Sequence, residues 1–238
     1  MSIHVIEHRA RRLARLPRTA RVQLEWLAFG FLFAFTLPFV LADQIAIDRD
    51  LYYGIYASSV ALLFATWAWE TGQPLGRMLR TRLVTATVLG LAFAGLLAML
   101  VLHAEDATSR PGGFTLAAAL VWRGGIYGAA DGLLLSSFPI LAVFAAFAGT
   151  RLRERWRGKI AIGVVALVAS LAMTAAYHAG YSDFRSGKLR SPVAGDVVWS
   201  VPTLVTLNPI GAPVAHAGLH VSAVLHSYET DLFLPPHK

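Results

Sequence analysis

The chain contains no cysteine. Disulfides, thiolate nucleophiles, Cys-ligated zinc and iron–sulfur clusters are thereby excluded. Charge is scarce as well. Only 15% of the 238 residues are Asp, Glu, Lys or Arg, against about 25% in an ordinary soluble domain. Hydrophobic residues make up 56%, and the mean hydropathy is +0.56. So little polar material cannot cover a soluble domain, and the composition excludes a disordered chain, a coiled coil and a typical soluble enzyme. The charges sit in short clusters between long apolar runs, which is the layout of a polytopic membrane protein. Basic residues outnumber acidic ones by 21 to 14. That excess would suit nucleic acid, but it concentrates at the ends of apolar runs. The expected partner is a lipid bilayer, not a nucleic acid.

Several catalytic signatures are missing too. No Walker loop and no GxSxG elbow occurs, and the glycines around Arg123 follow no strand. His216 and His220 are not part of an HExxH motif, because residue 217 is Ala.

The charge pattern divides the chain into three parts. Residues 1–22 form a basic flank, read as a cytoplasmic anchor against anionic headgroups rather than a signal peptide. Residues 23–228 form one transmembrane domain, and 229–238 a short tail. Apolar runs predict spans near 24–42, 53–69, 83–103, 133–147 and 160–177. Loops alternate between acidic or neutral (43–50, 104–113) and basic (70–82, 151–159), which predicts an inside N-terminus. The stretch 114–149 is too long for one straight crossing: 36 residues would reach ~54 Å at ~1.5 Å each, against a hydrocarbon core of ~30 Å. Its first part, 114–130, is therefore expected to be broken or re-entrant. Pro202, Pro209 and Pro213 predict a proline-broken helix over 197–227, with the break near Asn208-Pro209; whether it crosses once or folds back as a hairpin stays open. The expected fold class is all-α: a transmembrane helical bundle of about six spans (five to seven). Trp122, Trp156 and Trp199 are expected to mark membrane interfaces. The Ala- and Arg-rich composition points to a multi-pass protein of a bacterial plasma membrane.

Arg123 and Asp131 are charges inside an apolar stretch, where each is costly. One reading is a close-packed helix whose charges snorkel to opposite interfaces. The other is a polar intramembrane site, with Arg123 binding a carboxylate or phosphate. Gly124, Gly128 and Gly132 form a small-residue stripe that lets another helix approach closely. His216 and His220 share one helix face at a chelating spacing. His178 ends the fifth span and reaches the same level if 197–227 folds back. The three histidines are thus candidate metal ligands. His226 lies on another face, and His103 ends the third span.

The segment Val121-Trp-Arg-Gly-Gly-Ile-Tyr-Gly128 resembles the aromatic-Arg-Gly motif of the CAAX-protease and bacteriocin-processing (CPBP) intramembrane proteases. Pro209–His220 resembles that family's last motif, and His178 would supply its middle histidine. The resemblance implies a membrane-embedded hydrolase that activates water with glutamate and histidine. The family's Glu-Glu pair falls on Ala118 and Ala119 here, its final Asn on His220, and the aromatic residue of its middle motif on Thr174.

Three functional classes follow. The first is an intramembrane histidine site, metal-binding or a degenerate CPBP-like hydrolase, in which a divalent metal would make up for the missing glutamate. The second is a non-catalytic accessory subunit of a larger membrane complex or a homo-oligomer. It includes a haem-binding variant with His103 or His178 opposite His216 or His220. The third is a small transporter.

Overall fold

The computed structural model describes residues 18–230 and 233–235. Most of the basic flank 1–22 and part of the tail 229–238 lie outside the described residues. Among those described there is no strand, and the fold is the expected all-α bundle.

Helix α1 (Arg18–Pro38) continues past Pro38 as a π-helical turn, Phe39–Gln44. Proline has no N–H to donate, so the hydrogen-bond register slips there. Helix α2 (Arg49–Glu70) starts at Asp48, whose side chain accepts the N–H groups of Asp50 and Leu51, a normal N-cap. A short α3 (Leu75–Arg80) leads into α4 (Leu83–Ala104). Then come α5 (Gly113–Ala146), α6 (Trp156–Ala179), a single turn α7 (Ser182–Arg185), α8 (Arg190–Thr206) and α9 (Gly211–His226).

Among the described residues, five helices are long and apolar enough to cross a bilayer: Thr19–Gln44, Arg49–Glu70, Leu83–Ala104, Gly113–Ala146 and Trp156–Ala179. Large apolar side chains such as Val84, Leu62, Leu91 and Val164 point outward from them, as lipid-facing residues do. Helix α5 differs from the other four. Its most apolar window is 83% buried, against 22–44% for the rest, so it is the central shaft of the bundle.

The interruption expected near 114–130 takes the form of a widened helix, not a chain reversal. Helix α5 stays helical throughout, with π-helical segments at Leu120–Tyr127 and Leu133–Ser137 on either side of Asp131. Wider turns rise less per residue, which shortens the helix, and they re-aim the side chains that follow. Such segments gather at functional sites.

The proline-broken region folds back. Helices α8 and α9 form a hairpin whose corner is Leu207–Ile210, with Leu207 at φ 54°. Asn208 fixes that corner. Its side-chain amide donates to the carbonyls of Met78, Leu79 and Thr81, and its Oδ1 accepts the N–H of Ile210. At the far end of α9, His226 Nε2 meets the carbonyl of Glu105, 2.9 Å away. Helix α9 therefore runs beside α4 over its whole length. Helix α8 begins at Arg190, earlier than the apolar run suggests.

Helix α9 approaches the glycine stripe closely. A Cβ on Gly124 would come within 3.0 Å of the Val221 Cα, one on Gly128 within 2.8 Å of the Ala217 Cα, and one on Gly132 within 2.7 Å of the Ala212 carbonyl. Helix α9 lies antiparallel against α5 along this stripe, and Gly90 and Gly218 bring it equally close to α4. One interface reading needs correction: Trp156 is exposed and Trp122 half-buried, but Trp199 is buried in the bundle against His216. The apolar run around Trp199 faces a cavity, not the lipid headgroups.

Candidate metal centre

The close approach of α9 to α5 brings His216 and His220 over Asp131. All three are 3% exposed. Their Nε2 atoms stand 3.5 Å and 3.4 Å from the same carboxylate oxygen, Asp131 Oδ2. The imidazoles are stacked, with centroids 5.0 Å apart and planes 6° from parallel. One ligand atom from each residue lies within 4.8 Å of the other two. Asp131 Oδ1 is engaged separately by the Tyr56 hydroxyl, which donates at 2.5 Å.

The distances discriminate between two kinds of contact. A direct N–H···O bond would be about 2.7–3.2 Å. Around zinc with bonds of about 2.0–2.2 Å, ligand atoms at the corners of a tetrahedron stand about 3.4 Å apart. The separations from Asp131 match the second case. The histidines are also short of partners. His216 Nδ1 and both ring nitrogens of His220 are buried with no hydrogen bond among the described residues. Buried polar atoms are seldom left so.

The cluster opens on a cavity of about 60 Å³ lined by Asp131, His178, Trp199, His216 and His220 among others. That is room for a few waters. His178 stands on the cavity wall, outside the close set of three. Its Nδ1 lies 2.9 Å from the Thr174 carbonyl. A carbonyl can only accept, so Nδ1 carries the proton and Nε2 keeps a lone pair. The place given to His178 in the expected trio is taken by Asp131.

Arg123 and Asp131 do not share a site. The Arg123 guanidinium makes two bonds to Asp50, Nε to Oδ1 at 2.9 Å and a terminal nitrogen to Oδ2 at 2.8 Å. It also lies over the Tyr228 ring. Its carboxylate is therefore one of the chain's own, at the start of α2. Asp131, about two turns further along α5 and past the π segment that holds Arg123, faces the histidines. His103 is exposed and meets the Met99 carbonyl of its own helix, and His226 is bonded to Glu105. The expected axial pairs therefore come down to His178 with His216 or His220, which line one small cavity. The cavity is also far below the ~300–1,000 Å³ of sites for larger organic ligands. The residues do not fit haem.

Tyrosine is the residue type whose role the sequence reading missed. Six of the seven tyrosines, Tyr52, Tyr53, Tyr56, Tyr127, Tyr177 and Tyr181, are buried together beside the centre. Hydroxyls of Tyr52, Tyr127, Tyr177 and Tyr181 bond one another, and the Tyr127 ring meets His220 edge-on. The available signal was Tyr-Tyr-Gly-Ile-Tyr at 52–56 in an apolar helix, with Tyr177 and Tyr181 one turn apart. Comparison with family models, with curated proteins and with solved structures finds no match to this chain.

Proposed function

We propose that this is a multi-pass membrane protein that holds one divalent metal between Asp131, His216 and His220, and that the metal activates water for hydrolysis. The observation that carries the reading is the pair of 3.5 and 3.4 Å separations from Asp131 Oδ2, together with the unpartnered ring nitrogens. Two imidazoles and one carboxylate form a borderline-hard set that suits zinc and its neighbours, and three protein ligands leave a coordination position free, as catalytic sites do. When bound, the metal supplies a water whose pKa is lowered toward ~7.

The chain's own residues have definable tasks. Tyr56 orients the Asp131 carboxylate, leaving Oδ2 for the metal. Trp199 packs on His216 and fixes its ring. His178, with its lone pair on Nε2, is placed on the cavity wall to take or return a proton. The resemblance to CPBP proteases fits this reading in outline: the carboxylate that the family places before the Arg comes here from Asp131, eight residues after Arg123. The substrate class would then be a peptide or related acyl bond at membrane depth. The basic loops at 70–82 and 151–159 support a plasma-membrane orientation with the N-terminus in the cytoplasm.

Elemental analysis of the detergent-purified protein tests the site. About one equivalent of metal in the wild type, lost in His216→Ala/His220→Ala at unchanged fold, is the expected result. A metal-free wild type that takes up no zinc on titration would overturn it.

A further inference from the structure

A second polar cluster lies in the bundle, built from none of the metal-site residues. Asp196 on α8 is fully buried, and its side-chain partners are all hydroxyls. Oδ1 is approached by Ser200 at 2.7 Å, Ser136 at 2.8 Å and Ser170 at 3.1 Å. Oδ2 is approached by Ser170 at 2.9 Å and Thr174 at 3.0 Å. The hydroxyls also crowd one another. Ser200 Oγ is 2.8 Å from Ser136 Oγ and 2.9 Å from Ser170 Oγ, which is itself 2.9 Å from the Leu135 carbonyl.

Proton counting gives the result. Seven oxygens make eight approaches of 3.1 Å or less. Four hydroxyls carry four protons, and each can serve one good hydrogen bond. The remaining approaches set lone pair against lone pair. The carboxylate also brings a full negative charge into a water-excluded place. Helix α6 presents Ser170 and Thr174 to it, with His178 a turn further on. Helix α5 presents Ser136, with Asp131 more than a turn away, and α9 presents His216 only across Trp199. No Lys or Arg among the described residues faces it. A buried charge without a counter-charge carries a large desolvation penalty.

We propose that Asp196, Ser136, Ser170, Thr174 and Ser200 form a binding site for one small monovalent cation, a proton or Na+. One positive charge cancels the single carboxylate, and hard oxygen donors select hard cations. A divalent ion would leave the site with an excess charge. The edges of the cage are hydrogen-bond lengths, so a proton fits it as it stands, and Na+ fits after the hydroxyls move apart slightly. The cage ties α5, α6 and α8 together. On α8 it lies between Gly195 and Trp199, both of which line the metal cavity. Occupancy therefore bears on how α8 closes that cavity. The inference does not depend on a metal at Asp131.

Thermal melting of the full chain in detergent tests it, with wild type, Asp196→Asn and Ser200→Ala compared. In the sodium arm, NaCl replaces choline chloride at fixed pH and ionic strength. A rise in wild-type Tm of about 2–4 °C or more, absent in Asp196→Asn and reduced in Ser200→Ala, identifies Na+. In the proton arm, choline chloride is kept and pH is raised from about 5 to about 9. A fall in Tm that is steeper in the wild type than in Asp196→Asn, with an infrared band of a protonated carboxyl lost in that variant, identifies the proton. Wild type and Asp196→Asn with the same sodium and pH responses would overturn the proposal. If Asp196→Asn does not fold, Ser200→Ala decides: responses identical to wild type in both arms overturn it.

Discussion

The Tyr56 hydroxyl donates to Asp131 Oδ1 at 2.5 Å, and this leaves Oδ2 to the two histidines on α9. One carboxylate is thereby divided between a hydroxyl on one oxygen and two imidazoles on the other. Removing the hydroxyl in Tyr56→Phe frees the carboxylate to rotate while the ring still fills its place. Loss of such an outer partner typically costs 10–100-fold in metal affinity. Competition with a zinc chelator should show a drop of about 10-fold or more in Tyr56→Phe at unchanged Tm. An unchanged affinity would mean that Tyr56 only packs.

Metal uptake should depend on pH with a definite sign. A histidine binds metal only when neutral, and an aspartate only when ionised, so protons compete with the metal. Zinc affinity should weaken as pH falls, because protons then take the ligand atoms. Asp131→Asn keeps the volume but removes the charge, and it should lose binding at every pH. Isothermal titration across pH for the two proteins distinguishes these outcomes, and a pH-independent affinity would contradict the assignment of histidine ligands.

The α5–α9 seam makes a mechanical prediction. At Gly128 a side chain meets the Ala217 backbone, which cannot move aside. Gly128→Val should therefore destabilise by at least ~1–3 kcal/mol. At Gly95 nothing lies within 4 Å, and Gly95→Ala should be neutral or slightly stabilising through helix propensity. Melting curves of the two variants test the contrast. The metal site should fail together with Gly128→Val, since the same seam positions both histidines.

Asn208 holds three carbonyls of the 78–81 turn at the hairpin corner. Asn208→Ala leaves them without their donor, at about 1–3 kcal/mol for a buried unsatisfied group. A lowered Tm with proteolytic sensitivity appearing near residues 78–82 or 207–210 is expected. Wild-type resistance at both places would show that water replaces the amide.

Arg123 and Asp50 form a two-pronged pair at the start of α2, with the Asp50 side chain 48% exposed. Solvent screening limits such a pair to roughly 0–1 kcal/mol. Arg123→Lys cannot reproduce both prongs. A double-mutant cycle over Arg123→Ala and Asp50→Ala should give a coupling of that small size, and metal content should be unaffected. Loss of metal in Arg123→Ala would tie this pair to the centre after all.

The sequence by itself determined the class of the protein. Absent cysteine, sparse charge and long apolar runs leave a helical membrane bundle, because an unpaired backbone in lipid has few other solutions. Local spacing also carried the glycine stripe, the shared face of His216 and His220, and the break at Asn208-Pro209, since each depends on residues a few positions apart. Tertiary structure decided the rest. Asp131 joins the histidines, rather than pairing with Arg123, because Arg123 lies within a π segment and Asp131 beyond its end, and because α9 packs flush on the glycines beside it. Tyrosines of α2, α5 and α6 converge with Tyr181, and Ser136, Ser170 and Thr174 reach Asp196, through contacts between residues 22 to 129 positions apart. No period or motif encodes contacts of that range. They exist only once the helices have chosen their neighbours, and side-chain volume at the interfaces makes that choice.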